Sequence, residues 1–326
     1  MSILVVDILE SSLKVSNEYK QKTIVFAIRT QKHKCVPNAY YKIIRSNIFR
    51  TMFANKKNMQ ERHLDRLRYF EESANSAQEY YIDYLKNFIS IDSETNILEV
   101  GCGEGGNLLP FAKAGCQVTG IDRSSTRISQ AKDFFIRFGQ NGNFITSDFF
   151  NIDVSIHKHL YDIILVHDVI EHVEEKERFM AHLKSFLTHK GVVFWGFPAW
   201  QMPFGGHQQI CHHKICSKLP FIHLLPSFLY RTLLKAFGEN QACIDELMEI
   251  KRCGVTIERF EELLKINGYK ISGRILWLIN PHYMQKFKLK PRKLNKPQSQ
   301  IRFLRNFFCT SCFYITNIIP KDVEKN

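Results

Sequence analysis

Between residues 96 and 198 the chain alternates short apolar runs with stretches of helical periodicity. The runs fall at 96–101, 117–122, 143–148, 161–167 and 192–197, and helical patterns near 107–114, 125–138 and 174–187 separate most of them. An uninterrupted apolar run such as Ile163, Ile164, Leu165 and Val166 fits a strand covered on both faces, and the alternation predicts a parallel sheet. Ahead of it, Leu64, Leu67, Phe70, Tyr80, Tyr81, Tyr84, Leu85 and Phe88 recur at helical spacings, with core packing the expected use of the aromatic rings. Residues 199–255 break the alternation with Pro203, Pro220, Pro226 and a glycine pair, so they read as an insertion. A helix over 256–266, capped by Thr256 with Glu258 and Glu261 in its first turns, then leads to final strands at 271–279 and 312–319. The expected fold is α/β: a doubly wound, Rossmann-like, mostly parallel sheet of seven strands, with a helical N-terminal extension and a lid-like insertion after the fifth strand.

Composition changes this picture little. With 44% hydrophobic and 24% charged residues the chain is ordinary for a globular protein, and no run of eighteen apolar residues suggests a membrane span. Asp7 and Glu10 interrupt the first apolar stretch, which makes a poor secretory signal. Nine cysteines without a repeating framework point to a reduced, cytoplasmic protein. Cys309 and Cys312 have redox-motif spacing but fall in a late strand rather than at a helix start, so no redox role is expected.

Charge is unevenly placed. The formal net charge is +13, yet residues 1–58 hold eleven Lys and Arg against three acids, and residues 285–306 hold eight against none. The basic excess therefore lies outside the alternating core. Residues 1–58 read either as a basic helical appendage or as residues outside the working protein, because a clean amphipathic pattern follows Met59 directly. The working domain is expected over 59–326, with 199–255 as a substrate lid.

The chemistry concentrates after the strands, where ligands of such sheets sit. The first predicted strand runs into Glu99, Val100, Gly101, Cys102, Gly103, Glu104, Gly105 and Gly106. Glycines there let the chain turn tightly and let a ligand approach bare backbone. The turn also satisfies the dinucleotide pattern GxGxxG, and Asp122 at the next strand's end can take a ribose hydroxyl pair under either reading. Three neighbours favour one of them. Glu99 suits a cationic amine and would repel a pyrophosphate. Asp148 and Phe149 follow the third strand, placed for an adenine amino group and ring. His167, Asp168, Val169, Ile170, Glu171 and His172 follow the fourth strand, at the centre of the expected cleft.

Residues from about 60 to 320 thereby resemble the class I S-adenosylmethionine (SAM)-dependent methyltransferases of the small-molecule type (type 11/23-like). The resemblance implies SAM as cofactor, its methionine end lined by Glu99, Gly101, Gly103 and Gly105. It implies ribose hydroxyls on Asp122, adenine against Asp148 and Phe149, and His167 beside the cofactor.

On the acceptor side, methyl transfer needs alignment, and an oxygen or carbon acceptor often needs a base. His167 and His207 are the candidate catalytic residues; each has an ordinary structural use as well, as a backbone contact or a loop histidine. Asp168, Glu171 and His172 stand at i, i+3 and i+4, so on a helix they would share a face; they are similar to an acidic run that holds a divalent ion in ubiquinone-pathway O-methyltransferases, but the same run occurs widely without metal. His207, Cys211, His212, His213 and Cys216 match four-ligand zinc spacing poorly, so no metal is expected. The apolar 219–237 stretch suits a lid, peripheral membrane contact or packing. The expected partner is a small molecule, apolar or lipid-linked. Nucleic acid is disfavoured because the position after the fourth strand lacks the Asn/Asp-Pro-Pro-Tyr pattern of amino-methylating enzymes. A nucleic-acid methyltransferase and a non-catalytic SAM-binding protein stay as alternatives, and oligomeric state stays open.

Overall fold

The computed structural model describes residues 65–154 and 160–319; the expected 1–58 extension and the region around Met59 lie outside them. Two compact units emerge. The described part of one is Gly206–Met248; the other comprises the described residues up to Gly205 and from Glu249 onward.

The larger unit is built on one sheet of eight strands in the order β3-β2-β1-β4-β5-β8-β6-β7. Its strands are β1 (Asn96–Val100), β2 (Gln117–Asp122), β3 (Asn143–Thr146), β4 (Tyr161–His167), β5 (Leu187–Phe197), β6 (Tyr269–Ile279), β7 (Arg292–Lys293) and β8 (Ser311–Ile318). The first five pair in parallel, and β8 joins β5 and β6 antiparallel. Seven of these are the strands read from the sequence. The eighth, β7, is a two-residue edge strand in the basic segment, antiparallel to β6 and too short to leave a periodic signal. Strand order reverses between β2-β1 and β4-β5, which opens the crevice where ligands of doubly wound sheets bind.

Helices cover the sheet because they carry apolar stripes. Helix α1 (Arg66–Ser76) is capped by Asp65, whose carboxylate accepts from the Arg68 amide. It continues through a π turn, Ala77–Tyr81, into a last helical turn, Ile82–Leu85. Of the aromatics read at helical spacing, Phe70 and Tyr81 are fully packed in the core with Leu85. Helix α2 (Leu109–Lys113) follows the glycine turn, and α3 (Ser125–Arg137), capped by Ser124, joins β2 to β3. Helix α4 (Lys176–Lys184) joins β4 to β5.

In the smaller unit, α5 (Ser227–Ala236) buries Tyr230 and Leu234 and leaves Phe228 and Leu229 exposed. Helix α6 (Gln241–Cys253) begins there. Helix α7 (Ile257–Ile266) starts as expected at Thr256, whose hydroxyl accepts from the Arg259 amide at 3.0 Å. The remaining helices are α8 (His282–Phe287) and α9 (Lys296–Gln300). No helix among the described residues is long and apolar enough to cross a membrane.

Candidate functional site

Strand β1 carries Glu99 into the interior because its neighbours on both sides are sheet: Glu99 is opposite Gly120 of β2 and Leu165 of β4. The side chain is 1% exposed. Its Oε1 accepts from the Asn107 amide at 2.7 Å, while Oε2 is buried without a hydrogen-bond partner. Burial pushes the carboxyl up to about 8; the Asn107 hydrogen bond opposes that shift and the nearby Asp122 charge adds to it. A buried, half-satisfied carboxylate is costly unless a cation or donor completes it.

After β1 the chain turns back on itself. Gly101 has φ +72°, and a Cβ there would lie 2.5 Å from a Val169 methyl. Gly103 has φ +53° with nothing within 4 Å of where its Cβ would stand, so bare backbone faces open space. Gly105 closes the turn at φ +80°. The back of the turn is held by α1: a Cβ on Gly106 would sit 2.6 Å from the Phe70 carbonyl oxygen, and Arg66 pairs with the buried Glu104 at 3.2 Å.

Asp122 ends β2 and ties the turn to α3. Its Oδ2 accepts from the Gly103 amide at 2.9 Å and its Oδ1 from the Ser124 amide at 2.8 Å. Each oxygen keeps a further lone pair. Asp148 follows β3 and caps a 3-10 turn, Phe149–Asn151, by accepting from the Phe150 amide; its other oxygen lies 3.6 Å from Arg123. Phe149 is 5% exposed, its ring packed against His182, Phe186 and Phe179 at 4.9, 5.2 and 5.5 Å between centroids. Capping and packing are thus both realised, and Phe149 forms wall rather than a free stacking face.

His167 ends β4 in a slot that Gly196 of β5 leaves open; a Cβ on Gly196 would stand 2.3 Å from its ring. Both ring nitrogens are engaged, Nε2 with the Tyr81 hydroxyl at 2.8 Å and Nδ1 with Asp168 Oδ2 at 3.4 Å. Burial, with the Asp168 and Glu99 charges, holds the Tyr81 phenol well above its ordinary range, so it keeps its proton. Where that proton is donated to Nε2, a neutral His167 carries its own on Nδ1, 3.4 Å from Asp168 Oδ2. Asp168 itself adopts φ +53°.

Beyond it, a 3-10 turn, Ile170–His172, replaces the helical face read from the sequence. Glu171 is buried with neither carboxylate oxygen hydrogen-bonded among the described residues, and burial and Asp168 hold it well above the carboxylate range. His172 is pushed down chiefly by burial, against the pull of Asp168.

Of the sequence candidates, Glu99, Gly101, Gly103, Gly105, Asp122, Asp148, Phe149 and His167 all lie at the carboxyl ends of β1 to β4. His207 belongs to the other unit, at the start of its Gly206–Met248 segment, with φ +54°. Sequence reading missed Asn107 and the use of Tyr81. Asn107 stands eight residues after Glu99 with no pattern to mark it, and Tyr81 was assigned to the core alone.

Residues 73–204 match the family model described as a methyltransferase domain. Over that stretch, which is less than half of the chain, the sequence is similar to methyltransferase domains. The chain is 32% identical over 115 residues to a ubiquinone biosynthesis O-methyltransferase of Rickettsia canadensis (strain McKiel), covering 35% of this chain and 48% of that one. A protein of the same name from Rhodopseudomonas palustris (strain TIE-1) is 31% identical over 99 residues, covering 30% and 37%. The chain thus spans about half the length, or less, of these curated relatives. Among solved structures, an S-adenosylmethionine-dependent methyltransferase from Clostridium acetobutylicum ATCC 824 superposes with a TM-score of 0.48 at 10% identity, covering 76% of this chain and 92% of that one.

Proposed function

We propose that the chain transfers a methyl group from SAM to a small-molecule acceptor. The single observation that carries the reading is Glu99: a fully buried carboxylate with one oxygen left without a partner, beside an open glycine turn. That oxygen suits the ammonium at SAM's methionine end and disfavours a pyrophosphate.

SAM supplies an electrophilic methyl on a sulfonium; the chain's residues hold and align it. In this reading Glu99 Oε2 accepts from the ammonium, and the backbone from Gly101 through Gly105 gives the methionine end room to approach. Asp122 accepts from the ribose hydroxyls with the lone pairs its two backbone donors leave free. Asp148 accepts from the adenine amino group, with Phe149 as a wall beneath the ring. Much of the acceleration comes from fixing donor and acceptor in line.

An oxygen acceptor must also lose a proton. His167 offers Nε2 to it only once the Tyr81 hydroxyl lets go, so Tyr81 is a positioning residue for that step. His207 is the other candidate base, assigned if His207→Ala abolishes transfer at unchanged SAM affinity. An oxygen on an apolar or lipid-linked molecule is the finer reading, favoured by the relatives' names, which are those of ubiquinone biosynthesis O-methyltransferases.

Calorimetric titration of the full chain with SAM and S-adenosylhomocysteine tests the reading. Micromolar binding that Asp122→Ala weakens at least about tenfold, or by about 1.4 kcal/mol, is expected. A folded wild-type chain that binds neither compound overturns it. Binding without turnover on quinol and phenol acceptors would leave a SAM-binding protein that is not an enzyme on this class of substrate.

A further inference from the structure

The Gly206–Met248 segment holds a cluster that the methyl-transfer reading does not use. Cys211 follows a 3-10 turn, Gln208–Ile210, and Cys216 opens another, Cys216–Lys218. Their sulfurs lie 3.5 Å apart, both fully buried. Cys243 stands in the first turn of α6, its amide donating to Asn240, and its thiol adjoins both Cys211 and Glu239. Glu239 reaches the same place from the turn after α5, where Gly238 takes φ +75°.

Glu239 is the hub. Its side chain is completely buried and accepts from the His212 and His213 amides at 2.9 and 2.8 Å and from His212 Nδ1 at 3.1 Å. Ligand atoms of Cys211, Cys216 and Glu239 lie within 4.8 Å of one another, and so do those of His212, Glu239 and Cys243. Four-ligand sites with zinc–sulfur bonds of about 2.3 Å set sulfurs roughly 3.8 Å apart, close to the Cys211–Cys216 spacing.

The cluster is walled by Ile222, Leu225, Tyr230, Leu234, Ile244 and Leu247. We propose that Cys211, Cys216, Cys243 and Glu239 bind a structural zinc ion, with His212 positioning Glu239 from behind. Soft thiolates select zinc over magnesium or calcium. Binding releases the three thiol protons to solvent, and the metal's charge offsets the buried carboxylate and thiolates. A carboxylate held in place by neighbouring N–H groups is how outer partners commonly fix a metal ligand. The site is distinct from the SAM reading and stands or falls apart from it.

The test is metal analysis of the full chain expressed with zinc and desalted. One zinc per chain is expected, lost in Cys211→Ser/Cys216→Ser and in Cys243→Ser, and kept in His212→Ala and in the control Cys309→Ser. Should the serine variants not fold, the wild-type chain decides alone. Cobalt exchanged for zinc should then give a thiolate-to-cobalt charge-transfer band, and a mercurial reagent should release zinc as thiols are titrated. The proposal is overturned by wild-type protein without zinc, by zinc retained in the double variant, or by a Cys211–Cys216 disulfide in non-reduced peptide mass spectra. SAM titration of the same samples shows separately whether the methyltransferase reading survives.

Discussion

The Tyr81 hydroxyl lies 2.8 Å from His167 Nε2, while Asp168 Oδ2 stands 3.4 Å from Nδ1. A buried phenol that keeps its proton and donates it to Nε2 leaves the proton of a neutral imidazole on Nδ1, toward Asp168. Tyr81→Phe removes the only hydroxyl in that contact while keeping the ring that packs on Phe194 and Phe313. Nitrogen-edge NMR of labelled histidine should show the Nδ1–H tautomer in the wild type and a mixture in the variant. Turnover should fall about tenfold with SAM affinity unchanged, a loss near 1.4 kcal/mol of transition-state stabilisation. An unaltered tautomer would remove Tyr81 from the mechanism.

With Glu99 taking the SAM ammonium as proposed, SAM binding should depend on pH. The Glu99 carboxyl titrates at about 8 in the folded chain against an ordinary 4.5, so between these values the folded chain holds a proton that the unfolded chain has released. The ligand-free chain should therefore lose stability as pH rises through that window. A cationic amine prefers the ionised carboxylate, so SAM affinity should rise over the same range and level off above about 8. Melting curves with and without SAM at several pH values check both slopes. Glu99→Gln should flatten them, and a SAM-induced shift that persists undiminished in that variant would take Glu99 out of the cofactor site.

Two glycines of the turn should fail in different ways. Gly101→Ala meets the Val169 methyl at 2.5 Å in a left-handed backbone, so strain and overpacking should together cost about 2–4 kcal/mol of stability. Gly103→Ala meets nothing within 4 Å and should cost only the backbone strain, about 1–2 kcal/mol. Its methyl group would nonetheless stand where a ligand must pass. Urea unfolding and SAM titration on the two variants separate the effects: a folded Gly103→Ala chain with wild-type affinity would show that the turn does not face the cofactor.

Much of this arrangement was legible from the chain because buried parallel strands must be continuously apolar and their ligand-bearing residues must follow them. That logic located Glu99, Asp122, Asp148 and His167 at the ends of four successive strands. The same logic is silent where a residue acts through a distant partner. Tyr81 is aimed by a π turn, one residue out of step with the helical period, and nothing in the periodicity marks that shift. Glu171 and His172 read as one face of a helix, yet the left-handed Asp168 and a 3-10 turn set their directions instead. In the smaller unit Cys211 and Cys216 looked like an incomplete set because the third thiol, Cys243, arrives from a later helix and Glu239 from the turn before it.

Asn107 offers the sharpest test of how the buried carboxylate is tuned. Its side-chain amide, 2.7 Å from Glu99 Oε1, favours the ionised form and so lowers a carboxyl that burial raises. Asn107→Ala leaves both oxygens without donors, and the carboxyl should then titrate above about 8. The sign follows directly. At neutral pH the variant holds its proton more firmly, SAM must displace it at greater cost, and affinity should fall by about tenfold, or about 1.4 kcal/mol. At higher pH the deficit should shrink as the carboxyl ionises, so the wild-type and variant affinity curves should converge on the alkaline side. Calorimetry in buffers of different ionisation enthalpy should also count more protons released on binding to Asn107→Ala than to the wild type at neutral pH. A deficit that stays constant with pH would mean that Asn107 acts by shaping the turn rather than by setting the charge of Glu99.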